Sequence, residues 1–584
     1  MAGELRSVTL AAPGFFGLNT QESGITISSG FALDASNCVI DKFGRIGSRK
    51  GWTEYSNESV SVTGAVRAIG EHTETDGSLT TLFAADSKLW KLDSGLDPVE
   101  LTAQSATITG ATQANPCSIT ATGHNFETGD SVTITGVVGM TELNTNTYTI
   151  TVVDADTFTL DSTDSSAFTA YTSGGTATKA AIAITDDDWQ ILSYNNVSVF
   201  VQQGHQMVYY DGSADEYVEF TSAPGSTTPS CGSACFNRLW VGDDYTVYWS
   251  KILEPKAFAG TGTGYLNIRE LFGEDDTVTA ITAYNNRLVI FGRRNIAFFA
   301  GAEDPTGIGF QMTDHITGIG CIARDSVAAV GTDVVFLSAD GVRSLGRVIQ
   351  EQSAPITDIS RNVRDDIVQY TQSETEFRIK GVYSPQDAFY LITFPSTGFV
   401  YCFDMRAPLQ DGSRRTTIWT DIQPTALKVT KDNTLLLGQT AYVAKYDGYT
   451  DNGTKYRMSY YTNYFDFDSS TVEKILKKIR IALIGATEQE ASLKWAFDYN
   501  IDYDSSAFQL SEGITSEYNV DEYFSDDDID NEAEYSSGII LDNISLSLGG
   551  RGTVLQIGIE ADVNGGALSI QKIDIFAKTG KLVV

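Results

Sequence analysis

Short runs of alternating apolar and polar residues, separated by Gly, Asn and Asp, fill most of this chain. The runs are rich in Val, Thr, Tyr and Phe, and an alternation of period two places one face of a strand against a core. Asn, Asp and Gly between two such runs favour tight hairpin turns. The pattern predicts an all-β protein.

One unit recurs along the chain: an apolar strand, an Asn or Asp turn and a second apolar strand. Its copies are Leu82 to Asp93, Leu192 to Gln202, Ala234 to Asp243, Thr282 to Gly292, Ala328 to Gly341, Val382 to Thr393 and Leu427 to Gly438. From Asn196 onward the turn residues Asn237, Asn286, Asp333, Asp387 and Asp432 follow at spacings of 41, 49, 47, 54 and 45 residues. A four-stranded sheet with its turns needs roughly 40 to 50 residues, so the spacing predicts a β-propeller of about six to eight blades. Unrelated hairpins in stacked sandwiches are the alternative.

Two stretches depart from this repeat. Between Asp86 and Asn196 the gap leaves room for an extra domain, and residues 104–179 are Thr- and Gly-rich and alternate strictly, which predicts a small β-sandwich or barrel with its ends close together. After about Asp451 longer strands predict a C-terminal antiparallel β-sheet domain. The predicted domains are 1–103 for an N-terminal arm and first blade, 104–179 for the inserted domain, 180–450 for the remaining blades and 451–584 for the C-terminal sheet domain.

The composition suits a large folded protein. The chain has 584 residues, of which 42% are hydrophobic and 11% aromatic. Met1 to Gly17 lacks the basic and apolar regions of a signal peptide, and no run is long enough to span a bilayer, so we expect a chain that is made in a cytoplasm and stays soluble. The six cysteines are scattered, which favours reduced thiols over disulfides or a zinc site. They are Cys38, Cys117, Cys231, Cys235, Cys321 and Cys402.

Charge disfavours tight binding of nucleic acid. The net charge is −35, and two long segments carry no Lys or Arg: Gln104 to Thr178 has seven acidic residues, and Trp495 to Gly550 has fourteen. Binding to a phosphate backbone depends on Lys and Arg that neutralise it, so acidic surfaces repel a duplex.

No catalytic or cofactor motif stands out, and the sequence predicts neither an enzyme nor a cofactor. The four histidines, His72, His124, His205 and His315, are neither at metal-ligand spacing nor beside a nucleophile in sequence. The Gly-rich Gly260 to Tyr265 precedes strand-like residues and is interpreted as a loop, not a phosphate site. Gln410 to Trp419 differs in order and spacing from the Asp-containing turn of propeller sialidases. A carboxylate pair for glycoside hydrolysis is defined by spatial separation, so the sequence leaves it open.

Two acidic clusters are candidates for binding cations or forming a solvated surface. The first is Asp498, Asn500, Asp502 and Asp504, and the second is Asp526, Asp527, Asp528 and Asp530. Calcium needs six to eight converging oxygens, whereas alternate strand residues spread over a face, so the solvated surface is favoured and no metal site is predicted. The basic run Lys474 to Arg480 is interpreted as an interface or a Lys-protected sheet edge.

The stretch from Phe15 to Trp52 resembles the opening of tail nozzle proteins of short-tailed bacteriophages, the tail tubular protein B family. The matching motifs are Gly17-Leu18-Asn19-Thr20, Gly30 to Val39 and Arg49-Lys50-Gly51. Ile108 to Asn144 looks like a small β module found in phage tail and other virion proteins. These stretches cover about an eighth of the chain.

The resemblance implies a virion protein of the phage tail, assembled in the host cytoplasm. It implies a homohexameric ring below the portal and adaptor, forming the distal tube through which double-stranded DNA passes without tight binding. Tail fibre or needle proteins, and a fibre or host glycan at the inserted domain, are the expected contacts. Asp526, Asp527, Asp528 and Asp530 are expected to line the channel or to form a solvated loop. A carbohydrate-binding or glycan-hydrolysing propeller is the alternative function, and a secreted propeller adhesin is a third.

Overall fold

The computed structural model of this protein describes residues 5–58, 61–182, 184–185, 187–220, 224, 228–351, 358–469, 471–485, 490–509 and 541–582. The chain divides into two compact units. The first consists of Met1–Asn57, Leu271–Ala300 and Gln311–Val584, and the second of Glu58–Glu270 and Gly301–Phe310.

The second unit contains three groups of four antiparallel strands, which we call blades 1 to 3. Blade 1 consists of Ala68–Thr73, Leu79–Ala85, Lys88–Leu92 and Pro98–Ala103. Blade 2 consists of Gln190–Tyr194, Val197–Val201, Val208–Tyr210 and Glu216–Glu219. Blade 3 consists of Cys231–Cys235, Arg238–Asp243, Thr246–Trp249 and Gly264–Asn267.

An inserted domain, here called the insert, lies between blades 1 and 2 in sequence. Its seven strands form one sheet around its own buried core, which includes Ile119, Ile134 and Phe158. The strands are Ser105–Thr107, Gly110–Ala111, Cys117–Thr120, Ser131–Thr135, Asn146–Asp154, Thr157–Leu160 and Thr176–Lys179, with a 3-10 turn at Thr141–Leu143. The first and last strands pair antiparallel, so the chain enters and leaves the insert at one place.

The insert follows the outermost strand of blade 1. That strand pairs in parallel with the outermost strand of blade 2, with Thr102 opposite Glu216. The Glu216 carboxylate also accepts hydrogen bonds from the Ser105 backbone N–H at 3.0 Å and hydroxyl at 2.7 Å. Blades 1 and 2 therefore form one eight-stranded sheet, from whose junction the insert emerges.

The first unit contains four further blades. Blade 4 consists of Ala280–Tyr284, Arg287–Phe291, Asn295–Ala300 and Gln311–Thr317. Blade 5 consists of Ala328–Val330, Asp333–Ser338 and Gly341–Ser344. Blade 6 consists of Lys380–Ser384, Phe389–Phe394, Phe399–Asp404 and Arg415–Trp419. Blade 7 consists of Ala426–Val429, Leu435–Gly438, Val443–Tyr446 and the N-terminal strand Trp52–Glu54.

Helices occupy little of the described chain. The α-helices are Arg269–Phe272, Leu345–Glu351 and Arg364–Ser373, and further 3-10 turns are Arg324–Ser326, Arg361–Val363 and Glu376–Arg378. None of the helices within the described ranges is long and apolar enough to cross a membrane.

Neighbouring blades within each unit bury their faces against each other. In blade 4, Val289, Phe291 and Phe298 share a core with Val334 and Phe336 of blade 5. Equivalent clusters join blades 1 and 2, blades 2 and 3, and blades 6 and 7. The middle strands are apolar on both faces because both faces are covered. Burial of each large apolar side chain contributes about 1.5–3 kcal/mol to the free energy of folding.

The C-terminal domain is a sandwich of two sheets that both include strands of the N-terminal arm. One sheet, here called the outer sheet, contains Leu5–Ala11, Cys38–Ile40, Ile46–Ser48, Val472–Gly485, Leu541–Ser547, Arg551–Gly552 and Leu568–Leu582. The other contains Gly17–Leu18, Phe31–Ser36, Tyr456–Thr462, Glu490–Phe497, Asp504–Gln509 and Leu555–Val563, and it continues through Gly17–Leu18 into blade 6. One core cluster fills the space between the sheets, including Leu10, Ile479, Leu493 and Ile575.

The prediction of an all-β fold with an inserted small domain and a C-terminal antiparallel sheet domain is confirmed. The repeat is offset in blade 1, where the turn at Asp86 joins the second and third strands and not the first and second. The reason is that the tight turn with two positive φ values found at Asn195 and Asn196 recurs at Asp86 and Ser87, one connection later in its blade.

The prediction for the basic run Lys474 to Arg480 is wrong where it places the run at a sheet edge. The strand Val472–Gly485 pairs with Leu568–Leu582 on one side and with Leu541–Ser547 on the other. It is an interior strand of the outer sheet.

Candidate functional site

Two glycines of the N-terminal motifs lie where no side chain fits. Gly17 has a φ of 82°, and a Cβ on it would lie 2.2 Å from the Thr416 carbonyl oxygen. A Cβ on Gly51 would lie 1.8 Å from the Thr450 carbonyl oxygen. The arm therefore needs glycine at both positions to pack against later parts of the chain.

Arg49 is the centre of a buried cluster, here called the arm clasp, which also includes Asn37, Asp451 and Tyr456. The Arg49 guanidinium is fully buried and donates to both Asp451 carboxylate oxygens, at 2.8 and 2.7 Å. Its Nε donates to Asn37 Oδ1 at 3.1 Å, and it lies 4.0 Å from the Tyr456 ring centroid. A buried guanidinium is strongly destabilising without such partners, so these motif residues hold the arm in place.

The second predicted acidic cluster, Asp526, Asp527, Asp528 and Asp530, lies outside the described residues. Its assignment to the channel or to solvent stays a prediction.

Asp498 of the first acidic cluster serves the fold. It has a φ of 53° in a turn, and its Oδ1 accepts hydrogen bonds from the Thr553 backbone N–H at 2.7 Å and hydroxyl at 2.6 Å. Burial opposes ionisation, but these bonds and one from Val554 hold the pKa of Asp498 below its usual value. Within the described ranges no group of three or more His, Cys, Asp or Glu could hold a metal ion.

The structure brings His72 next to a serine that is distant in sequence. Its Nδ1 lies 2.9 Å from Ser198 Oγ, and its Nε2 lies 3.6 Å from Glu74 Oε2. These are the residue types of a hydrolase triad. Both His72 and Ser198 are completely buried, so Ser198 offers no surface to a substrate, and the group serves as a polar contact between blades 1 and 2.

The other histidines each have local contacts. His124 packs against the rings of Phe126 and Phe158, His205 contacts Trp189, and His315 Nε2 lies 3.2 Å from Asn295 Oδ1.

No disulfide joins two of the six cysteines within the described residues. Cys231 and Cys235 lie at the two ends of one strand of blade 3. Burial raises the pKa of Cys235 to about 12, so this thiol stays protonated at neutral pH.

The segments Gly260 to Tyr265 and Gln410 to Trp419 both lead into strands. Gly260 to Tyr265 leads into the strand Gly264–Asn267 and not into a helix. Gln410 to Trp419 leads into the last strand of blade 6, and Asp411 there accepts hydrogen bonds from the Ser413 backbone and hydroxyl.

The outward face of the outer sheet concentrates positive charge. Lys478 and Arg480 on one strand stand opposite Phe576 and Asp574 on the next, while Ile479 and Ile481 point into the core. Lys572 and Lys578 extend the same row on the strand Leu568–Leu582. We call Lys478, Arg480, Lys572 and Lys578 the basic face.

Asp574 is the carboxylate within the basic face. It accepts a hydrogen bond from the Thr9 hydroxyl at 2.6 Å and pairs with Lys572 at 2.9 Å. Partial burial would raise its pKa, but these two partners hold the pKa of Asp574 below its usual value. The carboxylate is thus charged at neutral pH and is held by its own sheet.

Sequence reasoning found Lys478 and Arg480 but missed Lys572 and Lys578. The alternation in Lys572 to Lys578 places Lys572, Asp574, Phe576 and Lys578 on one face, and that signal was available. No signal in the sequence indicated that this strand lies beside Lys478 and Arg480, because about ninety residues separate the two strands.

The insert has the opposite charge. Lys179 is its single base within residues 104–179, and that ammonium is bonded to Asp130 at 2.8 Å. The remaining acids are exposed: Glu127, Glu142, Asp154, Asp156, Asp161 and Asp164.

Comparison with known proteins identifies two similar domains. Residues 162–426 match the family model described as bacteriophage P22 Gp10, beta-propeller, and residues 117–180 match that of the ubiquitin-activating enzyme E1 FCCH domain. The first match agrees with the predicted propeller and supports a structural protein of a phage tail. No curated protein matches the chain.

One solved structure shows a distant likeness. The extracellular domain of a one-component system from B. thetaiotaomicron is 7% identical, with a TM-score of 0.25, over 69% of this chain. The alignment spans 40% of that structure's chain.

Proposed function

We propose that this chain is the subunit of the distal tail tube, or nozzle, of a short-tailed phage. Six copies form a ring below the adaptor, and the genome leaves through its channel. The observation that supports this most is the match of residues 162–426 to the phage propeller family. It is joined by an N-terminal arm whose nozzle-like motifs have defined packing roles.

The pairing of the N-terminal arm with strands far away in sequence suits a tube that must withstand the passage of DNA. Leu5–Ala11 pairs with the strand Leu568–Leu582 near the other end of the chain, and Trp52–Glu54 completes blade 7. A force applied to one of these arm strands is therefore transmitted to strands that are hundreds of residues away in sequence. Such non-local pairing resists sequential unzipping.

The charge of the chain suits passage without retention. Each Lys or Arg contact to phosphate adds affinity for DNA and slows release, and the net charge of −35 repels a duplex from most of the surface. The action is passive, and the protein is a structural component and not an enzyme.

Loops between blades supply docking surfaces. Rigid sheets that present exposed loops commonly carry binding functions. On this proposal the loops contact the adaptor, tail fibres or needle proteins, and the host cell surface where the tail meets it.

Imaging of the purified protein tests the proposal. Negative-stain micrographs, taken alone and with the adaptor protein, are expected to contain sixfold rings with a central channel. Compact monomers under both conditions would contradict it. Glycan binding or hydrolysis by those monomers would instead favour the carbohydrate-active propeller.

A further inference from the structure

The basic face is an anomaly in a chain with 75 acidic and 40 basic residues. The four cations of the basic face stand on two adjacent strands with Asp574 among them, and Glu473, on the same strand as Lys478, pairs with Arg551 at 3.6 Å. Within the described residues Lys572 pairs with Asp574, whereas no ion pair occupies Lys478, Arg480 or Lys578. Arg480 also interacts electrostatically with Asp574, so this one carboxylate offsets one of the four positive charges of the basic face.

Short polar side chains flank Arg480 on the outer strands. Thr9, Asp574, Arg480 and Ser545 are aligned across four neighbouring strands, and Thr9 and Ser545 are exposed. Arg480 also lies 5.6 Å from the centroid of the Phe576 ring on the same face. The cations are therefore accessible on the surface of the sheet.

We infer that the basic face docks onto the insert of a neighbouring copy of this chain. The argument is charge complementarity: the face is positive, and the insert presents exposed carboxylates with one base, Lys179, already held by Asp130. Opposite potentials on two surfaces steer association and fix its register.

Each copy carries both surfaces, which gives the contact a definite symmetry. A basic face on one copy and an insert on the next make a head-to-tail contact, and contacts of this kind form a ring where the rotation between copies closes and a filament where it does not. The inference rests on the proposed nozzle function, for which it names the surfaces that join one subunit to the next.

A nucleic acid fits the basic face less well. Asp574 lies in the middle of the face with its charge retained, and a phosphate placed there would be repelled. The acidic excess of the whole chain opposes the approach of a duplex in addition. The cations therefore suit carboxylates spaced over a protein surface.

Charge reversal tests the contact. The face variant is Lys478→Glu with Arg480→Glu, and the insert variant is Asp161→Lys with Asp164→Lys. Sedimentation velocity at low salt, with and without the adaptor, measures self-association. Each variant alone is expected to associate about tenfold more weakly than the wild type, because two attractive pairs become repulsive.

Mixing the two variants is the decisive step. The reversed face of one variant then meets the reversed insert of the other, and the two native surfaces meet at the alternate contact. The mixture is expected to recover association to within about threefold of the wild type. An intramolecular role for these charges would give no such recovery.

Lys445→Glu with Lys455→Glu is the control, because it changes the net charge equally at two exposed lysines of the same unit. It is expected to associate as the wild type does. Circular dichroism verifies that every variant is folded.

Any of the following results overturns the inference: no self-association of the wild type in either condition, full association of either single variant, or a mixture that fails to recover. Loss of binding to a duplex DNA fragment in the face variant, with self-association intact, also overturns it and assigns the face to phosphate. Rings that persist in both variants leave the nozzle proposal standing, whereas absence of rings in the wild type contradicts that proposal itself.

Discussion

Arg49 and Asp451, which are 402 residues apart in sequence, form a buried ion pair through two parallel hydrogen bonds. Arg49 lies just before Trp52–Glu54, the arm strand that completes blade 7, and Asp451 lies just after Val443–Tyr446, the strand with which it pairs. The ion pair therefore joins the chain beside one of these paired strands to the chain beside the other. Loss of this ion pair and of the neighbouring strand pairing would release the arm from blade 7.

Removing the carboxylate of this pair should destabilise the first unit strongly. Asp451→Ala leaves the Arg49 guanidinium buried without a counter-ion, which costs about 3–5 kcal/mol. Asp562→Ala, which removes the exposed Lys455 pair, is the control and should cost below about 1 kcal/mol. Urea unfolding of both variants measures the difference, and equal losses would contradict a structural role for the clasp.

Gly17→Ala should disrupt the packing of the arm on blade 6. The substitution combines a left-handed backbone with a Cβ placed 2.2 Å from the Thr416 carbonyl oxygen. At Gly77 φ is 90° and nothing lies within 4 Å of the added Cβ, so Gly77→Ala carries only the backbone penalty of about 1–2 kcal/mol. We expect the melting temperature to fall further for Gly17→Ala, and a similar fall in both would rule out the steric account.

Asp358 should make the first unit less stable at neutral than at mildly acidic pH. Burial raises the pKa of Asp358 to about 6, above the value of about 3.9 in an unfolded chain. The destabilisation is fully present above pH 6 and is relieved as the pH falls toward 4, and it is on the order of 2–3 kcal/mol.

Asp358→Asn removes this ionisation and should raise the free energy of unfolding at pH 7.5 while changing little near pH 4. Asp432→Asn, at an exposed turn, is the control. Its free energy of unfolding should differ between pH 7.5 and pH 4 by the same amount as that of the wild type. A loss of stability in Asp358→Asn at pH 7.5 would count against the account.

Asp498 should behave as a turn residue and not as a calcium ligand. Asp498→Ala removes hydrogen bonds to Thr553 and Val554 and should cost about 1–3 kcal/mol. Asp502→Ala, four residues along, should stay within about 0.5 kcal/mol of the wild type. Calcium should not shift the melting temperature of the wild type or of either variant. A calcium-dependent rise in the melting temperature of the wild type that is lost in Asp498→Ala would contradict the assignment of Asp498 as a turn residue.

The hairpin repeat was predictable because its information is local. Asn195 and Asn196, like Asn285 and Asn286, have positive φ, and Asn tolerates that conformation better than most residues. Asp86 and Ser87 also have positive φ, so the same tight turn joins the second and third strands of blade 1, and the turn pattern alone could not reveal that this copy starts one strand later.

Pairings between distant segments were beyond the sequence. The placement of Lys474 to Arg480 depends on neighbours that come about sixty and ninety residues later. A run of lysines suggests an edge on local grounds, although Lys474 is in fact buried and donates to the Thr553 carbonyl at 2.7 Å. The clasp was invisible for the same reason, since Asp451 has no local feature that marks it as the partner of Arg49.

The most direct test of the central claim is a reconstruction of the intact phage tail by electron cryo-microscopy. The account predicts six copies of this chain around the distal channel, with the bladed sheets surrounding the path of the DNA. Density for this chain away from the tail axis, or its absence from the distal tube, would contradict the account.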